Sequence, residues 1–151
     1  GGRHGERETV TYCDGTSDFV KAVWITDIHL DFVEEEGISR FLESIDRENP
    51  DVVLLTGDIG EADSVCGYLE RIDSLQHPIC FVVGNHNYYG SSVEEVRKDV
   101  SAVVRSSGHL CWMNEGGVVS LSSRTALVGH DGWADGSGTT KTHRSSSTTS
   151  I

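Results

Sequence analysis

AVWITDIHLD, residues 22–31, is the stretch whose reading decides the fold. Its first four residues are apolar and read as a buried strand. The chain then turns at once to Asp27, His29 and Asp31. Residues two apart on an extended backbone point the same way, so Asp27 and His29 are expected to present their donors together at that strand's end. The same arrangement recurs twice downstream. VVLL at 52–55 runs into Thr56-Gly57-Asp58, and ICFVV at 79–83 runs into Gly84-Asn85-His86-Asn87.

Helical patterns separate the three runs. Ile38, Phe41, Leu42 and Ile45 predict a helix over 38–48, ended by Asn49-Pro50. Val65, Leu69 and Ile72 predict a second over about 62–75. A third begins at Ser91 or Ser92, each with a Glu three positions on, which is a capping-box pattern. Val93, Val96, Val100, Val103 and Val104 give its apolar face, and Gly108 suits a left-handed cap after it. Strands alternating with helices call for an α/β domain with a parallel sheet covered on both faces. Residues 109–113, 118–121 and 125–128 are further short strand candidates.

The 151 residues suit one domain, and 36% hydrophobic with 24% charged residues indicates a globular chain. Three regions are expected: a polar lead-in at 1–19, the α/β domain at 20–134, and a Ser/Thr-rich, disordered tail at 135–151. The tail could be a linker stub, a cloning remnant or out-of-frame translation. No apolar run approaches the ~18 residues of a membrane span. Net charge is −12, which argues against a nucleic-acid groove unless bound cations change the local sign. Cys13, Cys66, Cys80 and Cys111 form no C-x-x-C pair, so free thiols and a reducing, cytoplasmic setting are expected.

In a parallel sheet the carboxyl ends of all strands lie along one edge, with neighbouring strands ~4.8 Å apart. The three strand ends would therefore gather Asp27, His29, Asp58, Asn85 and His86. Carboxylates, imidazoles and one amide oxygen suit Mn²⁺, Fe or Zn²⁺. One carboxylate can bridge two cations ~3.5–4 Å apart, and Asp58, on the middle segment, is the natural bridge.

D-x-H at Asp27 and His29, G-D at Gly57 and Asp58, and G-N-H at Gly84 to His86 resemble the motifs of the calcineurin-like metallophosphoesterases. Order and separation by βα units also match, over about residues 20–133. The resemblance implies an αββα sandwich, apparently truncated here to its parallel βαβαβα half. It also implies a dinuclear centre and hydrolysis of a small-molecule phosphomonoester or phosphodiester. In that pattern Asp27 and His29 hold one metal, Asp58 bridges and Asn85 holds the second. Water activated by the metals attacks phosphorus in line, and His86 stabilises the transferring group or protonates the leaving oxygen.

Departures from the pattern are visible. Asn87 stands where the family usually carries Asp or Glu after G-N-H, and Glu61 is the candidate to orient His86 instead. The G-D motif lacks the Asp-Arg-Gly ending of the protein Ser/Thr phosphatases. No G-H-x-H occurs among these residues. His130 and Asp131, in VGHDGW, read either as a solvated turn or as contacts at the edge of the site. Tyr88, Tyr89, Trp24, Trp112 and Trp133 read as core or rim residues. Two rival readings follow. One is a truncated or degenerate relative of the same fold that binds a partner or is inactive. The other is a flavodoxin-like nucleotide-binding domain, opposed by the lack of any glycine-rich phosphate loop. Substrate identity and oligomeric state are not legible in the sequence.

Overall fold

The computed structural model describes residues 10–11 and 19–132. The expected tail 135–151, with Trp133, His143 and most of the 1–19 lead-in, lies outside the described residues. In chain order the elements are β1 (Val10–Thr11), β2 (Ala22–Thr26), α1 (Glu35–Glu48), β3 (Val52–Thr56), α2 (Val65–Asp73) and β4 (Ile79–Val82). There follow α3 (Val93–Ser106), β5 (Leu110–Trp112), the short α4 (Met113–Gly116), β6 (Val118–Ser120) and β7 (Ala126–Val128). The molecule is α/β: β2, β3, β4 and β5 form a parallel four-stranded sheet in chain order, with helices interleaved.

Strand order that runs in one direction, joined by right-handed crossovers, puts every crossover helix on the same face. The period-two alternation of the strands agrees. Val53, Leu55, Ile79, Phe81 and Trp112 turn one way and pack with Ile45 of α1, Leu69 of α2 and Val96 and Val100 of α3. Val52, Cys80 and Cys111 turn the other way and meet Met113, Val119 and Leu121. The covering layer on that second face is a small sheet in which β6 pairs antiparallel with β7 and parallel with β1. The expectation of full cover on both faces needs correcting at β2. Its residues facing the small-sheet side are exposed, and Trp24 is 73% accessible, its indole N–H donating to the Thr56 hydroxyl at 2.9 Å.

Local chemistry sets the helix limits. α1 starts three residues ahead of the predicted position, with Glu35 and Glu36 in its first turn, where carboxylates offset the helix dipole. It stops at Asn49, which takes a left-handed φ of 45°. α2 starts at Val65, because 62–64 are spent on a turn closed by the Ser64 and Val65 amides on the Glu61 carbonyl. α3 begins at Ser92 with both halves of the capping box present. Its end differs from the glycine cap expected at Gly108. Ser107 caps instead with φ −92°, and its hydroxyl accepts from the amides of His109 and Leu110 at 3.0 and 2.9 Å.

Cys66, Cys80 and Cys111 are free thiols. Cys80 and Cys111 are register partners on β4 and β5, and the hydrogen bond between the thiols, followed by burial, pushes the Cys80 pKa well up. Burial likewise raises that of Cys66.

Asp131 closes the fold. Its side chain is fully buried. Oδ1 accepts from the Val83 amide at 3.1 Å and from the Trp112 indole at 2.9 Å, while Oδ2 faces the Arg97 guanidinium at 3.5 Å. A solvated turn is therefore not what Asp131 makes. Arg97 is held protonated, first by its hydrogen bond to the Tyr88 hydroxyl and further by Asp131. Removing a buried acceptor strands its donors, at a cost of about 1–3 kcal/mol. Asp131→Ala is expected to lower unfolding free energy by about 2–3 kcal/mol in urea titrations, with near-ultraviolet dichroism from Trp112 weakened. Stability within 0.5 kcal/mol of the parent, roughly the range of neutral surface changes, would count against this anchoring role.

Candidate metal centre

The parallel register brings the carboxyl ends of β2, β3 and β4 level, with Thr26 opposite Thr56 and Thr56 opposite Val82. The loops that follow are tied crosswise by their backbones. The Gly57 amide donates to the Val82 carbonyl at 3.1 Å, the His29 amide to Asp58 O at 2.9 Å and the Leu30 amide to Ile59 O at 2.8 Å.

Asp27, His29 and Asp58 each offer a ligand atom, and these atoms all lie within 4.8 Å of one another. His29 Nε2 is 3.9 Å from Asp58 Oδ2. The means of convergence differs from the expected extended D-x-H. β2 ends at Thr26, and Asp27 and His29 both turn left-handed, with φ 51° and 41°; Asp58 does the same with φ 39°. Such conformations cost of order 1–3 kcal/mol each in a residue with a side chain, and persist where surrounding structure over-determines them. Three of the five non-glycine residues with positive φ among the described residues are thus in this one cluster.

The third loop completes the arrangement. Asp58 is nearly buried, and its Oδ1 accepts from the His86 amide at 3.0 Å. Gly84 makes that approach possible: a Cβ there would lie 2.1 Å from Asp58 Oδ1 and 2.8 Å from its amide nitrogen. The His86 ring stands edge-on to His29, centroids 4.8 Å apart, and lies 4.4 Å from the Tyr89 ring. Asn85 shares with Asp27 and Asp58 a depression of about 220 Å³, closed on one side by Asp131 and Gly132. The Thr26 hydroxyl lies within reach of two acceptors, the Asp27 carboxylate and the Thr56 carbonyl, and its one proton serves either.

Asn87 does something other than flank His86. It is fully buried, its Oδ1 accepts from the Gly84 amide at 2.7 Å and its Nδ2 donates to the Gly60 carbonyl at 2.6 Å. It fastens the third loop to the second, a role an amide fills because one end must accept while the other donates. Glu61 is also set apart. Its backbone amide donates to Asp31 Oδ2 at 2.5 Å, and the residue lines a separate depression of about 350 Å³ with Asp63, Tyr89 and Asp99. The His130 carbonyl accepts from the Gly132 amide at 2.8 Å.

A divalent cation fits this donor set. Carboxylates and imidazoles are suitable ligands, and a mutual spread of 4.8 Å is near that of donors around one ion with bonds of about 2.0–2.2 Å. The space freed by Gly84 is what lets Asp58 lie in the middle of the group. Gly84→Ala forces the third loop off Asp58. It is expected to cost about 1–3 kcal/mol of stability, as overpacking does, and to weaken Mn²⁺ binding as read by isothermal titration. Unchanged Mn²⁺ affinity would show that the close approach is dispensable.

The comparisons agree with this geometry. The model of the calcineurin-like phosphoesterase family matches residues 20–145. A zebrafish (Danio rerio) protein described as "Transmembrane protein with metallophosphoesterase domain" is 29% identical over 85 residues, covering 50% of this chain and 18% of that relative. The aligned part thus spans under a fifth of the relative's length. No solved structure matches the chain. Among the described residues no helix is long and apolar enough to cross a membrane. With most of its length matched, and with D-x-H, G-D and G-N-H brought to one edge of a parallel sheet, the chain belongs to the calcineurin-like phosphoesterase family.

Proposed function

We propose that this domain hydrolyses phosphoesters of small molecules with two divalent cations, Mn, Fe or Zn, held at the carboxyl edge of the sheet. The single observation that carries the reading is the Asp27–His29–Asp58 group, three donors within 4.8 Å on left-handed backbone turns. Asp27 and His29 would hold one cation, Asp58 would bridge, and Asn85 would hold the other. Bound there, the cations neutralise charge on the transferring phosphoryl group and lower the pKa of water.

The chain's own residues do the rest. Asp58 keeps its carboxylate in one orientation because the His86 amide occupies Oδ1, leaving Oδ2 toward His29. The same bond sets the His86 backbone beside the cluster, from which its ring can meet a phosphoryl or leaving-group oxygen as a hydrogen-bond donor. Glu61, the candidate to orient His86, lines the neighbouring depression together with Tyr89, whose ring lies against His86. The three free thiols support a reducing setting, of which the cytoplasm is the usual one.

Hydrolysis of bis(4-nitrophenyl) phosphate by the whole chain is expected with Mn²⁺ and abolished by chelator. Asp58→Asn should lower it at least ~100-fold, about 2.7 kcal/mol of barrier. Mn²⁺ binding without turnover would assign the chain to the non-catalytic relatives, and turnover indifferent to chelator would overturn the metal reading.

A further inference from the structure

Tyr89, about half exposed, lines the neighbouring depression and touches the site through Asn85 and His86. Two contacts single it out from the surrounding rim. Its hydroxyl accepts a hydrogen bond from Asn85 Nδ2 at 3.1 Å, and its ring packs on His86 with centroids 4.4 Å apart and planes 40° apart. Both partners belong to the G-N-H motif, and the short 3₁₀ turn at His86–Tyr88 brings the tyrosine back over them.

An asparagine is an ambiguous cation ligand. Only its oxygen can coordinate, whereas its amide nitrogen presents hydrogens that repel a cation. A half-turn about χ2 exchanges the two ends, and that torsion is broad and roughly two-fold. Whatever occupies Nδ2 therefore decides which end the site receives. Here the occupant is the Tyr89 hydroxyl.

We infer that Tyr89 is a positioning residue: by accepting from Asn85 Nδ2 it commits Asn85 Oδ1 to the cation, and its ring limits the His86 imidazole to one tilt. The inference rests on the reading of Asn85 as a ligand of the second cation. It extends the logic by which outer partners of metal ligands fix their orientation and typically carry 10–100-fold in affinity.

The discriminating partner is a carboxylate at position 85. Asp offers an oxygen at both ends and needs no orienting bond, so Asn85→Asp should make Tyr89 dispensable. Mn²⁺ binding to the whole chain, followed by electron paramagnetic resonance and calorimetry, gives a readout independent of turnover. Tyr89→Phe keeps the ring on His86 and removes only the hydroxyl. It should weaken the second Mn²⁺ about tenfold in the parent chain and under about twofold in the Asn85→Asp background. Equal weakening in both backgrounds, or none in the parent, would overturn the role of Tyr89. Failure of the proposed function has a different signature: a parent chain that binds no Mn²⁺, or binds it equally well as Asp58→Asn, would remove the site itself and the inference with it. Unchanged far-ultraviolet dichroism of Tyr89→Phe separates orientation from unfolding.

Discussion

Asp58 and Gly84 meet at a distance that no side chain on residue 84 would permit, and much of the site is arranged around that contact. It lets the β3 loop carry a nearly buried carboxylate under the β4 loop, where the His86 amide receives it. Asn87 then fastens the same two loops from the inside, through the Gly84 amide and the Gly60 carbonyl. The β2 loop joins through backbone bonds to Asp58 and Ile59. Three loops that would each be mobile alone thus restrain one another. The left-handed turns at Asp27, His29 and Asp58 are held in place by that mutual restraint, since each is costly by itself.

The sheet beneath contributes position more than chemistry. Four parallel strands in chain order have no reversal of direction, so the helices gather on one face and no crevice opens between two halves of the sheet. The site sits on the edge above β2, β3 and β4, made entirely from loop residues. An acidic chain with a net charge of −12 concentrates carboxylates there at a Coulombic cost that a bound cation would relieve.

Much of this was legible in the residues. VVLL and ICFVV are short, β-branched apolar runs whose length and flanking turn residues suit buried strands, and each stops at a polar group that marks the edge. Ser92 and Glu95 announced the start of α3 because a capping box is a purely local device. What stayed hidden depends on partners distant in sequence. Asp131 looks like a loop residue until Val83 and Trp112 supply donors for it. Asn87 sits beside His86 in the sequence, whereas its side-chain partners are Gly84 and Gly60. β1 is two residues long, and its pairing lies on β6, more than a hundred residues away. Alternation does not foretell left-handed aspartates and histidines either, since nothing in D-x-H distinguishes an extended tripeptide from a double turn.

The long reach of Asp131 bears on the order in which a nascent chain becomes native. Neighbouring strands pair far along the chain, Ala22 with Val52 and Ile79 with Leu110, and Asp131 reaches further still, back to Val83. The indole of Trp112 and the amide of Val83 have no acceptor until residue 131 has left the ribosome. Until then the β4–β5 end of the sheet carries a core tryptophan with an unpaired donor, in a chain still exposing apolar surface. The β4–β5 end of the sheet therefore gains these two hydrogen bonds only once residue 131 has been synthesised.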